Sequence, residues 1–362
     1  MAPNILLESL RDSQSPSIQK FAQTNYILKP LGHGGWATVY ASLPRDLADG
    51  ILQNFTKSQK TPENLQKALK ELAQALQAVK IAHDPAPERE RSPALQRNLT
   101  SEIDHLKHIR ALGPAKNLSE MLDHDDDDND RNQNRKACRW WYTLKPLNGG
   151  TLTEFLERGY FPQVQADFQL LYPPLSFAWH TVAQLLEALC LFHFGTNETD
   201  ARRFHGDVTA ANLMFHRPAD PHAPFRDYPN AYITDFGAAE AVHLDVAPPR
   251  EAENLFLKQR KDIVNAIFHC QRLVTPEKRD AFFQKEMENL NRAAYRASES
   301  DVLKARVTRL VRSAKKKRDE VYEPLSERTV SYFSRPLVTN DEFLGMFEEL
   351  NKKPRVPYCV IL

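Results

Sequence analysis

The hydrophobic pattern of this chain changes its period along the sequence, and that change limits the folds open to it. Residues 26–45 have the pattern of a strand, a glycine-rich turn and a second strand, and residues 139–147 are again strand-like. Further along, Thr151 and Glu154 form a capping box, and a strongly apolar, buried helix is predicted over 176–194. The sequence therefore predicts an α+β protein in which a strand-rich first third precedes a helix-rich remainder.

Two helices are predicted inside the strand-rich part. Thr61 can cap a helix over 61–76, Pro62 suits its first position, and leucines recur there at helical spacing. The same pattern runs directly into an apolar strand, so the boundary near Leu76 is left open. A second amphipathic helix is predicted over 94–112.

These patterns divide the chain into four segments. Residues 1–24 are polar and are expected to form a loosely ordered leader. The strand-rich region covers 25–147 and contains insertions, and the helix-rich region covers 148–350. Residues 351–362 form a C-terminal tail.

Composition excludes several classes of protein. With 41% apolar and 26% charged residues and a net charge of +1, the chain is typical of a globular protein with no overall attraction to nucleic acid. Its 4 cysteines form no close pair, which argues against disulfides or a zinc site and favours a reducing, cytoplasmic location. No uninterrupted run of about 18 apolar residues occurs, so we expect no membrane-spanning helix.

The glycine-rich turn at 32–35 is the first segment with chemical meaning. Glycines let a turn between two strands approach phosphates and offer backbone N–H groups. Lys80 follows within an apolar strand, and Glu102 lies on the apolar stripe of the predicted 94–112 helix. A carboxylate on a buried face favours a cationic partner, so we expect a Lys80–Glu102 pair that holds the lysine against phosphates.

A second group of polar residues follows between short apolar segments. The loop after Phe204 contains Asp207 and Asn212, and Asp235 stands at the end of a later strand beside Gly237. Phosphoryl transfer needs a carboxylate that accepts the proton of the attacking hydroxyl, together with oxygen ligands for Mg²⁺.

Taken in order, these motifs resemble those of the eukaryotic protein kinase family. The order is a glycine loop, Ala-x-Lys, a helix glutamate, His-x-Asp-x4-Asn and Asp-Phe-Gly, and it covers about residues 26–270. The resemblance implies a bilobal fold, with an antiparallel β N-lobe carrying one key helix and a mostly helical C-lobe. It also implies that ATP and Mg²⁺ are bound, and that a protein or small-molecule hydroxyl is phosphorylated.

The resemblance also assigns roles to individual residues. Asp207 would be the catalytic base, Asn212 and Asp235 would hold magnesium, and Glu102 would brace Lys80 against the α and β phosphates. Asp262 would steady the catalytic loop, and Leu106, His205 and Phe236 would stack as an internal apolar column. The remaining nucleotide contacts would come from Gly32, Gly34 and Val39 in the roof, from Ala78, from Leu144 behind adenine, and from the hinge residues Lys145 and Leu147.

Several residues depart from the family pattern. Gly206 replaces the arginine that usually holds a loop phosphate, so we expect control without loop phosphorylation. Thr209 stands where Ser/Thr kinases usually have a lysine, and the segment from Asp235 to Asp262 is short and has no clear Ala-Pro-Glu. Two alternatives therefore stay open, a nucleotide-binding pseudokinase scaffold and a small-molecule kinase.

The last four residues, beginning with Cys359, fit the Cys-aliphatic-aliphatic-X pattern that is read for prenylation. Three nearby cations, Lys352, Lys353 and Arg355, would add attraction to an anionic membrane surface. The pattern predicts a lipid-modified tail that anchors the protein to the cytoplasmic face of a membrane, and its alternative is a packed apolar tail.

Overall fold

The computed structural model describes most of the chain, and within it the fold is mixed α+β with an antiparallel five-stranded sheet. The chain divides into two compact units: Met1–Leu99, Met121–Pro146 and Pro336–Leu362 form the first, and Thr100–Glu120 and Leu147–Arg335 form the second. The described residues are 15–58, 61–83, 93–113, 117–125, 139–159, 173–195, 201–217, 225, 228–274, 284–285 and 299–352. Cys138 and Cys359 lie outside them.

The first unit is built on the five-stranded sheet, whose strands run in the order β1-β2-β3-β5-β4. Its described elements are α1 (Pro16–Thr24), β1 (Asn25–His33), β2 (Ala37–Pro44), α2 (Arg45–Lys57), α3 (Pro62–Ala75), β3 (Gln77–Ala82), β4 (Met121–His124) and β5 (Trp141–Leu144), with the C-terminal helix Asn340–Lys352. Neighbouring strands are antiparallel throughout.

Alternation along the strands gives this sheet two apolar faces. Side chains two apart on a strand point to the same side, so Tyr26 and Leu28 lie opposite in direction to Ile27. Tyr26 and Leu28 pack in a core with residues of α2, α3 and the C-terminal helix. Ile27 packs in a second core with Phe21 of α1 and Val79 of β3. The sheet is therefore covered by helices that come from both ends of the chain.

The C-terminal helix is an integral part of the first unit. Phe343 and Met346 are buried among side chains of the sheet and its helices. The Lys29 ammonium donates to the Glu342 carboxylate at 2.7 and 2.8 Å. Although partial burial disfavours the charged carboxylate, the hydrogen bonds from Lys29 and Thr339 outweigh that effect and lower the pKa of Glu342.

The second unit is mainly helical and carries two short antiparallel strand pairs, β6 with β9 and β7 with β8. Its elements are α4 (Pro93–Ala111, belonging here from Thr100), α5 (Leu152–Glu154, continued by a π turn at Phe155–Gly159), α6 (Leu175–Phe194), β6 (Arg202–Phe204), β7 (Leu213–His216), β8 (Asn230–Ile233), β9 (Glu240–Val242), α7 (Pro249–Gln271), α8 (Glu299–Glu320) and α9 (Glu327–Phe333). The helix Asn340–Lys352 of the first unit is α10.

Helix α6 is the centre of the second unit. It packs against α7, α8 and β8. By length and composition it is the one helix among the described residues that could cross a membrane, in contrast to the expectation from uninterrupted apolar runs. However, 72% of its most apolar window is buried inside the unit, which is the environment of a core helix.

Several sequence predictions agree with these elements. Thr61 caps α3 by accepting a hydrogen bond from the Asn64 N–H, and α3 ends at Ala75, one residue before its C-cap Leu76. The Thr151–Glu154 capping box is present, and the predicted helices at 94–112 and 176–194 correspond to α4 and α6.

Other elements differ from the predictions. Of the leader predicted over 1–24, residues 16–24 form the helix α1, in which Ile18 and Phe21 lie one turn apart and are buried. Residues 1–14 lie outside the described part of the chain. The predictions did not include α2. The helix-rich region was expected to continue to residue 350, but the chain from Pro336 belongs to the first unit.

The burial of α10 predicts that the first unit depends on it for stability. Replacing Phe343 by alanine should lower the free energy of unfolding by about 3–5 kcal/mol, because a fully buried aromatic ring is removed. Asp341→Ala, an exposed position in the same helix, is the matched control and should change stability by about 0.5 kcal/mol or less. Urea unfolding followed by circular dichroism measures both, and equal values for the two variants would contradict the integral role of α10.

Candidate functional site

The glycine-rich turn of the first unit joins β1 to β2 as a tight hairpin. Gly32 is opposite Val39 in the strand register, and His33 is opposite Thr38. The Gly34 N–H donates to the Ala37 carbonyl at 2.9 Å, which closes the turn. The hairpin predicted from the sequence is therefore present, and the three residues expected to cover a nucleotide, Gly32, Gly34 and Val39, lie together at its end.

The register of β2, β3 and β5 groups the other predicted nucleotide contacts of the sheet. Val39 lies opposite Lys80, and Ala78 lies opposite Leu144. Ala78 and Lys80 are two residues apart on one strand, and directly opposed residues share a face. Val39, Ala78, Lys80 and Leu144 therefore lie on the same face of the sheet.

The segment after β5 carries the two predicted hinge residues. Lys145 is exposed and Leu147 is buried. The chain passes from the first unit to the second between Pro146 and Leu147.

Asp262 of α7 holds the loop that begins at His205. Its carboxylate accepts hydrogen bonds from the backbone N–H groups of His205 at 2.6 Å and Gly206 at 3.1 Å. It also accepts a hydrogen bond from the His193 imidazole of α6 at 3.0 Å. Asp262 is 1% exposed, so these donors are its replacement for water. The loop is thereby fixed to two helices of the unit.

The side chain of His205 links this loop to the strand that leads to Asp235. Its Nε2–H donates to the Thr234 carbonyl at 3.0 Å, and its Nδ1 accepts from the Asp207 N–H at 3.2 Å. Only a neutral imidazole can donate at one nitrogen and accept at the other. Complete burial lowers the pKa of His205, against the opposing effect of Asp262, which agrees with the neutral form.

Asn212 is oriented by Asp207. The Asn212 Nδ2 group donates to both the backbone carbonyl and the carboxylate Oδ2 of Asp207, each at 2.9 Å. Both partners are acceptors, so the amide must present its NH₂ to them. The Asn212 Oδ1 is thereby turned away as an acceptor for another ligand. The predicted base and one predicted metal ligand are in direct contact.

The β7–β8 hairpin places Asn212 and Asp235 at the same end of two paired strands. Leu213 is opposite Ile233. The next residues along, Asn212 and Thr234, are joined by the Thr234 N–H, which donates to the Asn212 carbonyl at 2.9 Å. Asp235 follows Thr234 directly, so it stands one residue beyond the position that faces Asn212.

Asp235 begins a single 3₁₀ turn that covers Phe236–Ala238. It has a left-handed backbone with φ of 60°, and its carboxylate accepts from the Gly237 N–H at 3.4 Å. Asp207 and Asp235 are both exposed. Among the described residues no group of three or more His, Cys, Asp or Glu side chains could hold a metal ion. Mg²⁺ often uses only one or two protein carboxylates and completes its shell with phosphates and water, so an Asn212–Asp235 donor set fits it.

Glu102 of α4 binds the backbone beside Asp235. It is 2% exposed, and its Oε1 accepts a hydrogen bond from the Phe236 N–H at 3.1 Å. The Phe236 ring lies 5.0 Å from the His205 ring, so two of the three residues predicted for the internal column are neighbours. Lys80 belongs to the first unit and Glu102 to the second, so their pairing stays a prediction.

Gly206, which precedes the predicted base, has no room for a side chain. Its φ is +81°, and a Cβ placed there would lie 2.6 Å from the backbone oxygen of Ala238. Left-handed backbone is costly for residues with a Cβ, and the contact would be shorter than van der Waals separation. The loop that begins at His205 and the turn after Asp235 therefore approach each other through their backbones, and position 206 has no room for a charged side chain.

Two residues of the site were not identified from the sequence. His193 binds Asp262, and the His105 Nε2–H of α4 donates to the Ala239 carbonyl at 2.9 Å. His105 follows Glu102 by three positions, so both polar side chains stand on the buried side of the same helix. The sequence signal that could have identified His105 was its position one helical turn after Glu102 on the same apolar stripe.

No family model matches this chain, and no curated protein matches it in sequence.

The geometry of Gly206 predicts that replacing it by alanine lowers the free energy of unfolding by more than the cost of a left-handed backbone alone. Gly113 at the end of α4 also has a positive φ, +89°, but a Cβ there would meet nothing within 4 Å. Gly113→Ala should lower stability by about 1–2 kcal/mol, and Gly206→Ala should lower it by about 1–3 kcal/mol more because of the Ala238 contact. Denaturant unfolding of both variants tests this, and an equal loss would show that the loop moves aside freely.

Proposed function

We propose that this protein is an ATP- and Mg²⁺-dependent phosphotransferase with a bilobal protein-kinase-like fold, and that it transfers the γ-phosphate of ATP to a hydroxyl group. The observation that carries the proposal is the contact of Asn212 with Asp207, at the end of the hairpin that leads to Asp235. A base and two oxygen ligands are the set that phosphoryl transfer to a hydroxyl needs.

The fold of the first unit supports the same proposal. An antiparallel sheet with a glycine hairpin at its first turn agrees with the N-lobe that the sequence motifs predict. Val39, Ala78 and Leu144 share a face of the sheet with Lys80. This face offers an apolar surface for the adenine ring next to a cation for the phosphates.

In the proposed reaction Asp207 orients the acceptor hydroxyl and takes its proton. The acceptor oxygen forms a bond to the γ-phosphorus as the bond between that phosphorus and the β–γ bridging oxygen breaks, and ADP leaves with the electron pair. Asn212 contributes by fixing one oxygen of Asp207 through its amide, so the other carboxylate oxygen is available to the acceptor.

The metal would be held by the Asn212 amide oxygen and the Asp235 carboxylate. When bound there, Mg²⁺ would supply positive charge that stabilises the phosphate oxygens during transfer. The Asn212 orientation supports this assignment, because its NH₂ group is already occupied by Asp207. Lys80 would bind the α and β phosphates. Glu102, which accepts a hydrogen bond from the Phe236 N–H, would also hold Lys80 in place.

The acceptor is a hydroxyl of a protein or a small molecule. After the turn that follows Asp235, the chain forms only β9 and a short loop before α7 begins at Pro249. A loop this short offers little backbone on which an extended peptide could bind, which favours a compact acceptor. Thr209, in place of the family's lysine, favours the second candidate function, a scaffold that binds nucleotide without turnover.

Nucleotide binding gives the first test of the proposal. MgATP should raise the melting temperature of the wild-type protein, with a stabilisation of about 2.7 kcal/mol at a concentration 100 times the Kd. Asp235→Asn should lose the Mg²⁺-dependent part of that stabilisation, because a neutral amide is a weaker ligand for a hard cation. Asp46→Asn, an exposed position in α2, is the control and should respond like wild type. A wild-type protein with no shift at millimolar MgATP would contradict both the kinase and the scaffold.

Turnover gives the second test and separates the kinase from the scaffold. Asp207→Asn should lower phosphate transfer at least about 100-fold, because the amide cannot take the acceptor's proton. MgATP binding should be nearly unchanged, because Asp207 is assigned to the acceptor and not to the nucleotide. Transfer of radiolabelled γ-phosphate to peptide arrays and to a panel of hydroxylated small molecules provides the measurement. Equal labelling by wild type and variant would assign the signal to a contaminating kinase and favour the scaffold.

A further inference from the structure

Side chains of α4 form hydrogen bonds with both ends of the 3₁₀ turn that follows Asp235. At its start the Phe236 N–H donates to the Glu102 carboxylate at 3.1 Å. At its end the Ala239 carbonyl accepts from the His105 imidazole at 2.9 Å. The turn itself is closed by the Ala239 N–H, which donates to the Phe236 carbonyl at 3.1 Å. Two side chains on the same face of α4 therefore bind the turn: Glu102 accepts from its first N–H group, and His105 donates to the carbonyl at its end. We call these two bonds the clamp.

His105 is suited to be a permanent part of this clamp. It is 6% exposed, and its ring meets the edge of Phe192 at 6.0 Å between centroids. Burial lowers the pKa of His105, although the Ala239 carbonyl and Asp104 act in the opposite direction, so the ring is neutral near pH 7. A carbonyl can only accept, so the Nε2 atom carries the proton. Ala239 is also buried, so water does not readily replace this donor.

The clamp, these two bonds from Glu102 and His105, holds a segment that no charged side chain at position 206 could reach. Gly206 approaches the Ala238 oxygen so closely that no side chain fits, so position 206 offers no cation to a phosphate on this segment. The segment is instead held by backbone contacts: β9 pairs with β6, with Phe204 opposite Glu240, and α4 grips the turn before it. The Lys258–Glu240 ion pair, at 3.1 Å, adds a further link to α7.

We propose that His105 is a positioning residue that holds Asp235 in place for its ligand without phosphorylation of the segment. Asp235 caps the clamped turn and has a left-handed backbone, so the direction of its carboxylate depends on where the turn lies. The inference rests on the proposed function, because it assigns Asp235 to Mg²⁺. It adds to that function a residue that acts through the Ala239 carbonyl.

A matched pair of variants tests the role of the His105 donor. His105→Gln keeps an N–H donor at a similar distance from the backbone, and His105→Met has a similar length but no donor. Hydrogen–deuterium exchange of the amides in Phe236–Val242 should accelerate at least about tenfold in His105→Met and stay near wild type in His105→Gln. Exchange in α10 of the first unit, which includes no residue that the His105 ring is described to contact, serves as the internal control and should be unchanged in both variants.

Nucleotide affinity gives the functional readout. In His105→Met the affinity for MgATP should fall about tenfold, while the affinity for ATP in EDTA should stay at the wild-type value. A loss confined to the metal-dependent part would not arise from general destabilisation. Treatment of the wild-type protein with a phosphatase should leave MgATP affinity unchanged, and a loss after that treatment would overturn the inference.

The outcomes separate this inference from the proposed function. If wild type binds no MgATP, the proposed function fails and with it the assignment to Mg²⁺, whereas the exchange result still decides whether His105 holds the turn. If wild type binds MgATP but His105→Met matches it in both readouts, the positioning role is wrong and the proposed function stands. Should His105→Met fail to fold, His105→Phe retains ring volume against Phe192 without a donor and decides the same question.

Discussion

Three donors converge on the buried carboxylate of Asp262, and the geometry of the candidate site follows from that convergence. Two of them are the consecutive backbone N–H groups of His205 and Gly206, and the third is the imidazole of His193. A buried carboxylate without these donors would have a large uncompensated desolvation cost. The bonds that offset this cost for Asp262 are the same bonds that hold the loop against α6 and α7. Asp207 stands on this loop, one residue beyond the second donor.

Further contacts extend this order to Asn212 and Thr234, the residue before Asp235. The neutral ring of His205 joins the Thr234 carbonyl to the Asp207 N–H, and the β7–β8 register fixes Asn212 opposite Thr234. The β7–β8 register uses backbone groups that no side-chain substitution removes directly, whereas the link through His205 depends on its imidazole. The positions of Asp207 and Asn212 are therefore determined by a network whose parts satisfy each other.

The first unit is organised by a different constraint, the alternation of side chains along its strands. One set of residues packs against helices from both ends of the chain, and another set packs against α1. Because α10 supplies Phe343 and Met346 to the first set, the sheet completes its core only when the end of the chain is in place. The register that buries these residues also aligns Val39 with Lys80 and Ala78 with Leu144.

The sequence by itself determined those features that depend on local patterns. The glycine hairpin, the Thr61 and Thr151 caps, and the helices α3, α4 and α6 follow from spacing and turn chemistry that act within a few residues. The residue types at 207, 212 and 235, a carboxylate, an amide and a second carboxylate, led only to the hypothesis of phosphoryl transfer, a reaction that needs a base and oxygen ligands for a metal.

Only the tertiary structure decided which distant residues meet. Nothing local to His105 indicates that its ring reaches the Ala239 carbonyl, and nothing local to Gly206 indicates how close Ala238 lies. The return of α10 to the first unit was also invisible, since an amphipathic helix shows that it has an apolar face but not what that face covers. Such contacts depend on packing between segments far apart in the chain, for which periodicity carries no information.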